Sequence, residues 1–203
     1  MKRFIISLIV TLLAFQLHAQ DADLLKRIKS AGSSVKSFET KLTNNTQNKS
    51  GKVKTQIGQL YFVSPNEFAA LFDTGHHMIV NEKQIKMDIG LFRGTFKLKE
   101  GGTMRSLSNI FLYGFQGRCQ ELADDNDYNI ETKTDKYYTV TFTKKNKKKG
   151  LLGISYQQVI FNFNKSDLLI KEIILIDTRG VRDIYTISDT KYNVWVSKDI
   201  FKI

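Results

Sequence analysis

One cysteine, one proline and three histidines are all that 203 residues offer of the types that staple, break or catalyse. With Cys119 alone, no intramolecular disulfide and no thiolate metal site can form, so the core must hold the fold. Cys119 lies in an apolar stretch of helical length and reads as a small buried hydrophobe rather than a nucleophile. Pro65 is the sole proline, and no Gly/Ser tract or repeat period divides the chain, so it reads as one domain. His76 and His77 are adjacent, and neighbours in a strand point to opposite faces. They read as a polar turn after Asp73-Thr74-Gly75 rather than as joint metal ligands. No serine sits in a nucleophile-elbow pattern, and beyond residue 20 that histidine pair is the sole source of a triad base. Asp124, Asp125 and Asp127 lack the glycine and closing glutamate of a calcium loop and read as a solvated connection. No enzyme, no metal and no cofactor is expected.

Long apolar runs are scarce as well. The clearest is Phe4 to Phe15, preceded by Lys2 and Arg3 and followed by Gln16-Leu17-His18-Ala19-Gln20. A charged start, an apolar core too short to span a bilayer and a small residue near the break predict a secretory signal peptide over residues 1–20. Cleavage is expected after Ala19 or Gln20, leaving residues 21–203 as a single soluble, exported domain. No cysteine stands directly after the break, so no lipid anchor is expected there. About 180 residues suffice for one substantial core.

Export gives the charge its meaning. Lys and Arg number 31 against 20 Asp and Glu, a net +11, or about +9 without the leader. Outside the cytoplasm such a balance favours anionic membrane surfaces or acidic proteins over nucleic acid, and it also serves solubility. The densest run, Lys144, Lys145, Lys147, Lys148 and Lys149, precedes Gly150-Leu151-Leu152-Gly153. It is either a solvated hairpin loop or a landing pad for acidic headgroups or an acidic partner.

What remains is a β-rich pattern with helices at two places. Leu24, Leu25, Ile28, Ala31 and Val35 share one face at helical spacing, with Asp21 or Asp23 available as cap and Gly32 weakening the end. Period-two alternation then predicts strands at residues 38–46, 52–63, 68–72, 78–80, 84–89, 136–143, 155–164, 168–177, 181–188 and 191–196. Tyr138-Thr139-Val140-Thr141-Phe142-Thr143 alternates most cleanly. Short turns between these strands argue an antiparallel meander that curls into a barrel or sandwich. One apolar segment of helical length interrupts it, from Met104 to Ala123. Ser106 or Ser108 could cap it, and Gly114 and Gly117 would split it into two pieces. It is expected to plug the concave face of the sheet or to form a movable lid over it.

Two stretches carry a resemblance. Gly58-Gln59-Leu60-Tyr61-Phe62 runs into the corner Ser64-Pro65-Asn66-Glu67-Phe68. Near the end come Asp177-Thr178-Arg179-Gly180, a strand through Tyr185-Thr186-Ile187, Lys191-Tyr192-Asn193 and a closing Phe201. Their order and spacing resemble the periplasmic outer-membrane lipoprotein carrier family, the LolA-like proteins. The resemblance implies an α+β fold: a strongly curved antiparallel sheet (an incomplete β-barrel), an N-terminal helix, and a lid of short helices over an apolar cavity. It implies a monomeric periplasmic carrier that takes acyl chains of a lipoprotein or other lipid from an inner-membrane donor complex to an outer-membrane acceptor. The cavity would be lined by Leu60, Phe62, Phe68, Ala70, Phe72, Phe142 and Phe161 from strands, and by Leu107, Ile110, Phe111 and Phe115 from the lid. Ser64 stands where the family carries an arginine that latches the lid, so closure, and with it the cargo, is expected to differ. Two other readings remain: a carrier of another lipidated product or glycolipid, and a secreted structural β-protein whose hollow is filled. The empty carrier is expected to be closed on itself.

Overall fold

The computed structural model describes residues 21–89, 92–145 and 156–203, so the expected leader, Lys147, Lys148 and Lys149 lie outside the described residues. Helix α1 covers residues 21–34. Six strands follow: β1 Ser37–Gln47, β2 Val53–Val63, β3 Glu67–Phe72, β4 His77–Val80, β5 Gln84–Ile89 and β6 Phe92–Lys97. Helices α2 (Thr103–Gln116) and α3 (Cys119–Asn126) come next. The chain ends with β7 Tyr128–Thr134, β8 Tyr138–Lys144, β9 Tyr156–Phe163, β10 Ile170–Asp177, β11 Arg182–Tyr192 and a 3-10 turn at Lys198–Phe201.

All the described strands form one sheet in the order β6-β5-β4-β3-β2-β1-β11-β10-β9-β8-β7, and each neighbouring pair is antiparallel. β1 and β11 pair at its centre, while β6 and β7 are its edges, so the barrel is incomplete. This order dictates where the helices go. The chain leaves the sheet at one edge, β6, and re-enters at the other, β7. The α2–α3 crossing must therefore pass over one face.

Side-chain alternation decides which face. In β2, Gln56, Gly58, Leu60 and Phe62 are buried while Ile57 and Gln59 are exposed. In β1, Phe38, Thr40, Leu42 and Asn44 point inward. The helical crossing packs on this face, α2 against β10 and α3 against β7 and β8. Phe68, Val80, Phe142, Val159, Phe161 and Leu175 are among the fully buried side chains of the resulting core.

Several local expectations are corrected. Asp21 already lies inside α1 rather than capping it, and its carboxylate accepts a hydrogen bond from Thr132 Oγ1. α2 starts at Gly102 without a side-chain cap, and Ser108, fully buried, donates to Arg105 O at 2.9 Å instead. Gly114 does not split the helix. Gly117 does, in a left-handed conformation (φ 65°) in which Arg118 N donates to Tyr113 O at 2.8 Å. Strand β11 runs unbroken to Tyr192, and residues 193–197 leave the sheet rather than forming a strand. Strands β6 and β7 were not expected.

Candidate functional site

The concave face and α2 meet in an aromatic seam. Phe115 stands edge-on to Phe38, ring centroids 5.3 Å apart, and packs on Phe62 at 5.5 Å and Phe68 at 5.8 Å. One turn earlier, Phe111 lies 5.4 Å from Phe68 and 5.2 Å from Tyr185. These i, i+4 positions share a helix face, which is why one stripe of α2 spans from β3 to β11. A second seam, Tyr128–Phe142 at 6.3 Å and Phe142–Phe161 at 5.0 Å, continues under α3.

Beside the first seam is a cavity of about 10 Å³, room for about one water. It is lined by Leu42, Leu60, Phe68, Ala70, Phe72 and Met78 from one half of the sheet. Ile170, Glu172, Ile173, Tyr185 and Ile187 line it from the other half, and Phe111 and Phe115 from the lid. Pockets that hold drug-sized ligands run to about 300–1,000 Å³. The hollow is apolar and, in this conformation, full of its own side chains. A roomier pocket, about 440 Å³, lies outside α2 among Glu100, Arg105, Asn109, Tyr113 and Asp125, and is polar.

Of the eleven residues named for the hollow, all are buried. Leu60, Phe68, Ala70, Phe72, Phe111 and Phe115 line the cavity together. Phe62 lies behind Phe115 in the stack. Leu107 and Ile110 are buried on α2 but do not line the cavity, and Phe142 and Phe161 belong to the second seam. Leu42, Met78, Ile170, Glu172, Ile173, Tyr185 and Ile187 were missed, because local alternation does not say which strands come together around the hollow.

The lid is seated by close backbone approach. A Cβ on Gly117 would lie 2.4 Å from Ile28 O of α1, and one on Gly32 would lie 2.3 Å from the Gln116 carbonyl. Glycine at both lets α1 touch the joint between α2 and α3. Lys29 Nζ then pairs with Glu121 at 2.5 Å. Gln116 Nε2 donates to Pro65 O at 2.5 Å, tying the last turn of α2 to the β2–β3 corner.

The remaining candidates for chemistry are engaged except at His77, whose Nδ1 lies 3.2 Å from Gly75 O while its buried Nε2 has no hydrogen-bond partner among the described residues. His76 Nδ1 lies 2.5 Å from Gln56 Nε2, beside Thr74, in the turn before β4. Asp125 accepts from Tyr113 Oη at 2.7 Å and Asp124 from Gln120 at 3.0 Å. Burial pushes the Cys119 thiol far above its ordinary range, and the Glu121 charge adds to this. Such a thiol is not nucleophilic. At the far end of the concave face Thr46 Oγ1 donates to Asp183 at 2.6 Å. Burial holds the Asp183 carboxyl above the usual carboxylate range against that hydrogen bond.

The fold has relatives of known structure. An uncharacterized conserved protein from Thermus thermophilus superposes with a TM-score of 0.51, 9% identity, over 91% of this chain and 94% of that one. A LolA superfamily protein from Nitrosomonas europaea gives 0.45 and 12%, over 90% and 97%. A putative outer membrane lipoprotein-sorting protein domain from Vibrio parahaemolyticus gives 0.47 and 9%, over 88% and 94%. No protein-family model matches the chain, and no curated protein does. At these identities the likeness concerns the fold alone.

Proposed function

We propose that this chain is a non-enzymatic periplasmic carrier. It takes the acyl chains of a lipoprotein or another lipidated product between the concave sheet and the α2–α3 lid. It ferries that cargo from an inner-membrane donor to an outer-membrane acceptor. One observation carries the reading: the topology drives a helical crossing over an apolar concave face, with a closed cavity of about 10 Å³ between them.

The energetics favour a closed empty state. One acyl chain of about fifteen methylenes at ~0.8 kcal/mol each gains ~12 kcal/mol on burial. Two would pass the practical ceiling of roughly 18–21 kcal/mol and could not be released. Opening a lid whose Phe111 and Phe115 are already buried offsets part of that gain, which keeps loading reversible. A carrier of another lipidated product gains support from the latch. Ser64 replaces the arginine expected at the corner, and Gln116 reaches the corner from the lid side.

The test is mass spectrometry of organic extracts of the native protein, paired with displacement of a fluorescent fatty acid. Co-purifying lipid and displacement by long-chain but not short-chain amphiphiles are expected. Phe68→Glu should abolish both, and Phe111→Glu, placed on the lid rather than in the sheet, guards against a variant that merely unfolds. Lipid-free protein with no displacement at any chain length would leave a structural β-protein.

A further inference from the structure

Trp195 is the single tryptophan of the chain, and 85% of it is exposed. An indole is among the largest apolar surfaces a protein owns, and it is normally covered. Its exposure here is built rather than frayed, because the backbone is fixed on both sides of it. Before it, Asn193 N donates to Ser37 O at 2.7 Å, Lys36 N to Asn193 Oδ1 at 2.8 Å, and Ser37 Oγ to Val194 O at 2.5 Å. After it, Ser197 caps the 3-10 turn, Phe201 is buried, and Asn81 Nδ2 donates to Phe201 O at 3.3 Å. Residues 193–201 are thus a strap, and the indole stands out from its span.

The charges around the strap point to one kind of partner. Its acids are matched: Asp199 pairs with Lys202 at 2.5 Å, and Glu39 with Lys191 at 2.6 Å. Lys36 and Lys198 are exposed and have no ion pair among the described residues. An amphipathic ring with an N–H donor, flanked by surplus cations, suits the headgroup layer of an anionic bilayer. The location suits it too. Tyr192, three residues earlier, rests 6.1 Å from Phe38, the ring on which the lid's Phe115 stands.

We propose that Trp195, with Lys36 and Lys198, is a membrane-docking point that seats the lid-end rim of the barrel on an anionic lipid surface. The inference does not depend on the hollow taking an acyl chain.

The test uses the full chain and its one tryptophan. Emission is followed while vesicles of phosphatidylglycerol and phosphatidylcholine, or of phosphatidylcholine alone, are added, with brominated lipids as depth quenchers. The readout is local to the indole. A blue shift and quenching on anionic vesicles alone, weakened by salt, are expected. Lys36→Glu and Lys198→Glu should each weaken binding about fivefold or more. No shift on any vesicle would overturn the proposal. So would an equal shift on neutral vesicles that ignores both charge reversals. A shift that grows with protein concentration alone would assign the indole to a second copy of the chain and overturn it equally.

Discussion

Gln116, at the end of α2, donates from Nε2 to the Pro65 carbonyl at 2.5 Å, joining the helical crossing to the β2–β3 corner. The latch runs from lid side chain to corner backbone, whereas the resemblance implied a latch from the corner side chain at position 64, which is serine here. Gln116 is buried and Pro65 is exposed, so the bond is partly shielded from water. Gln116→Leu keeps the bulk and removes the donor, leaving the Pro65 oxygen without it. A loss of about 1 kcal/mol in stability is expected. Because the lid then opens at lower cost, apparent affinity for a fluorescent fatty acid should rise severalfold. Adding Ser64→Arg to Gln116→Leu should restore part of the closure. Unchanged affinity in Gln116→Leu would show that this bond does not hold the lid.

Gly114 sets how closely the lid lies on the sheet. A Cβ there would come within 3.1 Å of Ile173 Cδ1 and 3.2 Å of Phe161 Cζ. Alanine gains up to about 1 kcal/mol of helix propensity and loses a similar amount to crowding, so Gly114→Ala should be near neutral. Gly114→Val adds two further methyls against the same side chains and should cost about 1–3 kcal/mol. Thermal melts of the pair check this. Equal melting points for valine and alanine variants would mean that α2 has slack over β9 and β10.

How much of this was legible beforehand follows from where the information lies. Strands with strong alternation, such as Tyr138–Lys144, announce themselves. β6 and β7 do not: Phe92–Lys97 carries an interior glycine, and Tyr128–Thr134 offers only Tyr128 and Ile130 as apolar positions amid Asn, Glu and Lys. Both are edge strands, which natural sheets keep short or polar. The lid was visible as a greasy interruption, yet Gly114 looked like a break. Its role, contact with Ile173 and Phe161, depends on partners about fifty residues away in sequence. For the same reason half of the cavity lining escaped. Ile170, Tyr185 and Ile187 line it only because β11 pairs with β1, a fact of topology rather than of local pattern.

Cys119 gives the lid a chemical clock. It opens α3, is 1% exposed, and is the single cysteine in the chain. Burial raises its thiol far above the ordinary range, so a disulfide reagent should react with it only when α2–α3 opens. Native protein at pH 8 is expected to label orders of magnitude more slowly than unfolded protein, and Gln116→Leu to label faster than the wild type. Labelling at the unfolded rate without denaturant would contradict a seated lid. A rate that Gln116→Leu leaves untouched would separate α3 from the latch.

Asp183 makes stability depend on pH in a direction opposite to that of an ion-paired carboxylate. Burial raises its folded pKa, Asp177 adds to this, and Thr46 and Arg179 work against it. Between the ordinary carboxylate value and that raised one, the folded chain holds more protons than the unfolded chain. Its contribution to stability therefore falls as pH climbs through that window and stays lowered above it. Asp183→Asn removes the charge but keeps an oxygen for the Thr46 hydroxyl, whose bond to Asp183 is 2.6 Å. The variant should be more stable at pH 7 by a few tenths to about 1 kcal/mol. That advantage should vanish below about pH 3, where the wild-type carboxyl is protonated in both states. Urea melts of both proteins from pH 3 to pH 8 measure the difference. A constant offset across that range would mean that the substitution acts through packing, and a loss of stability at pH 7 would mean that the charged form is the favoured one.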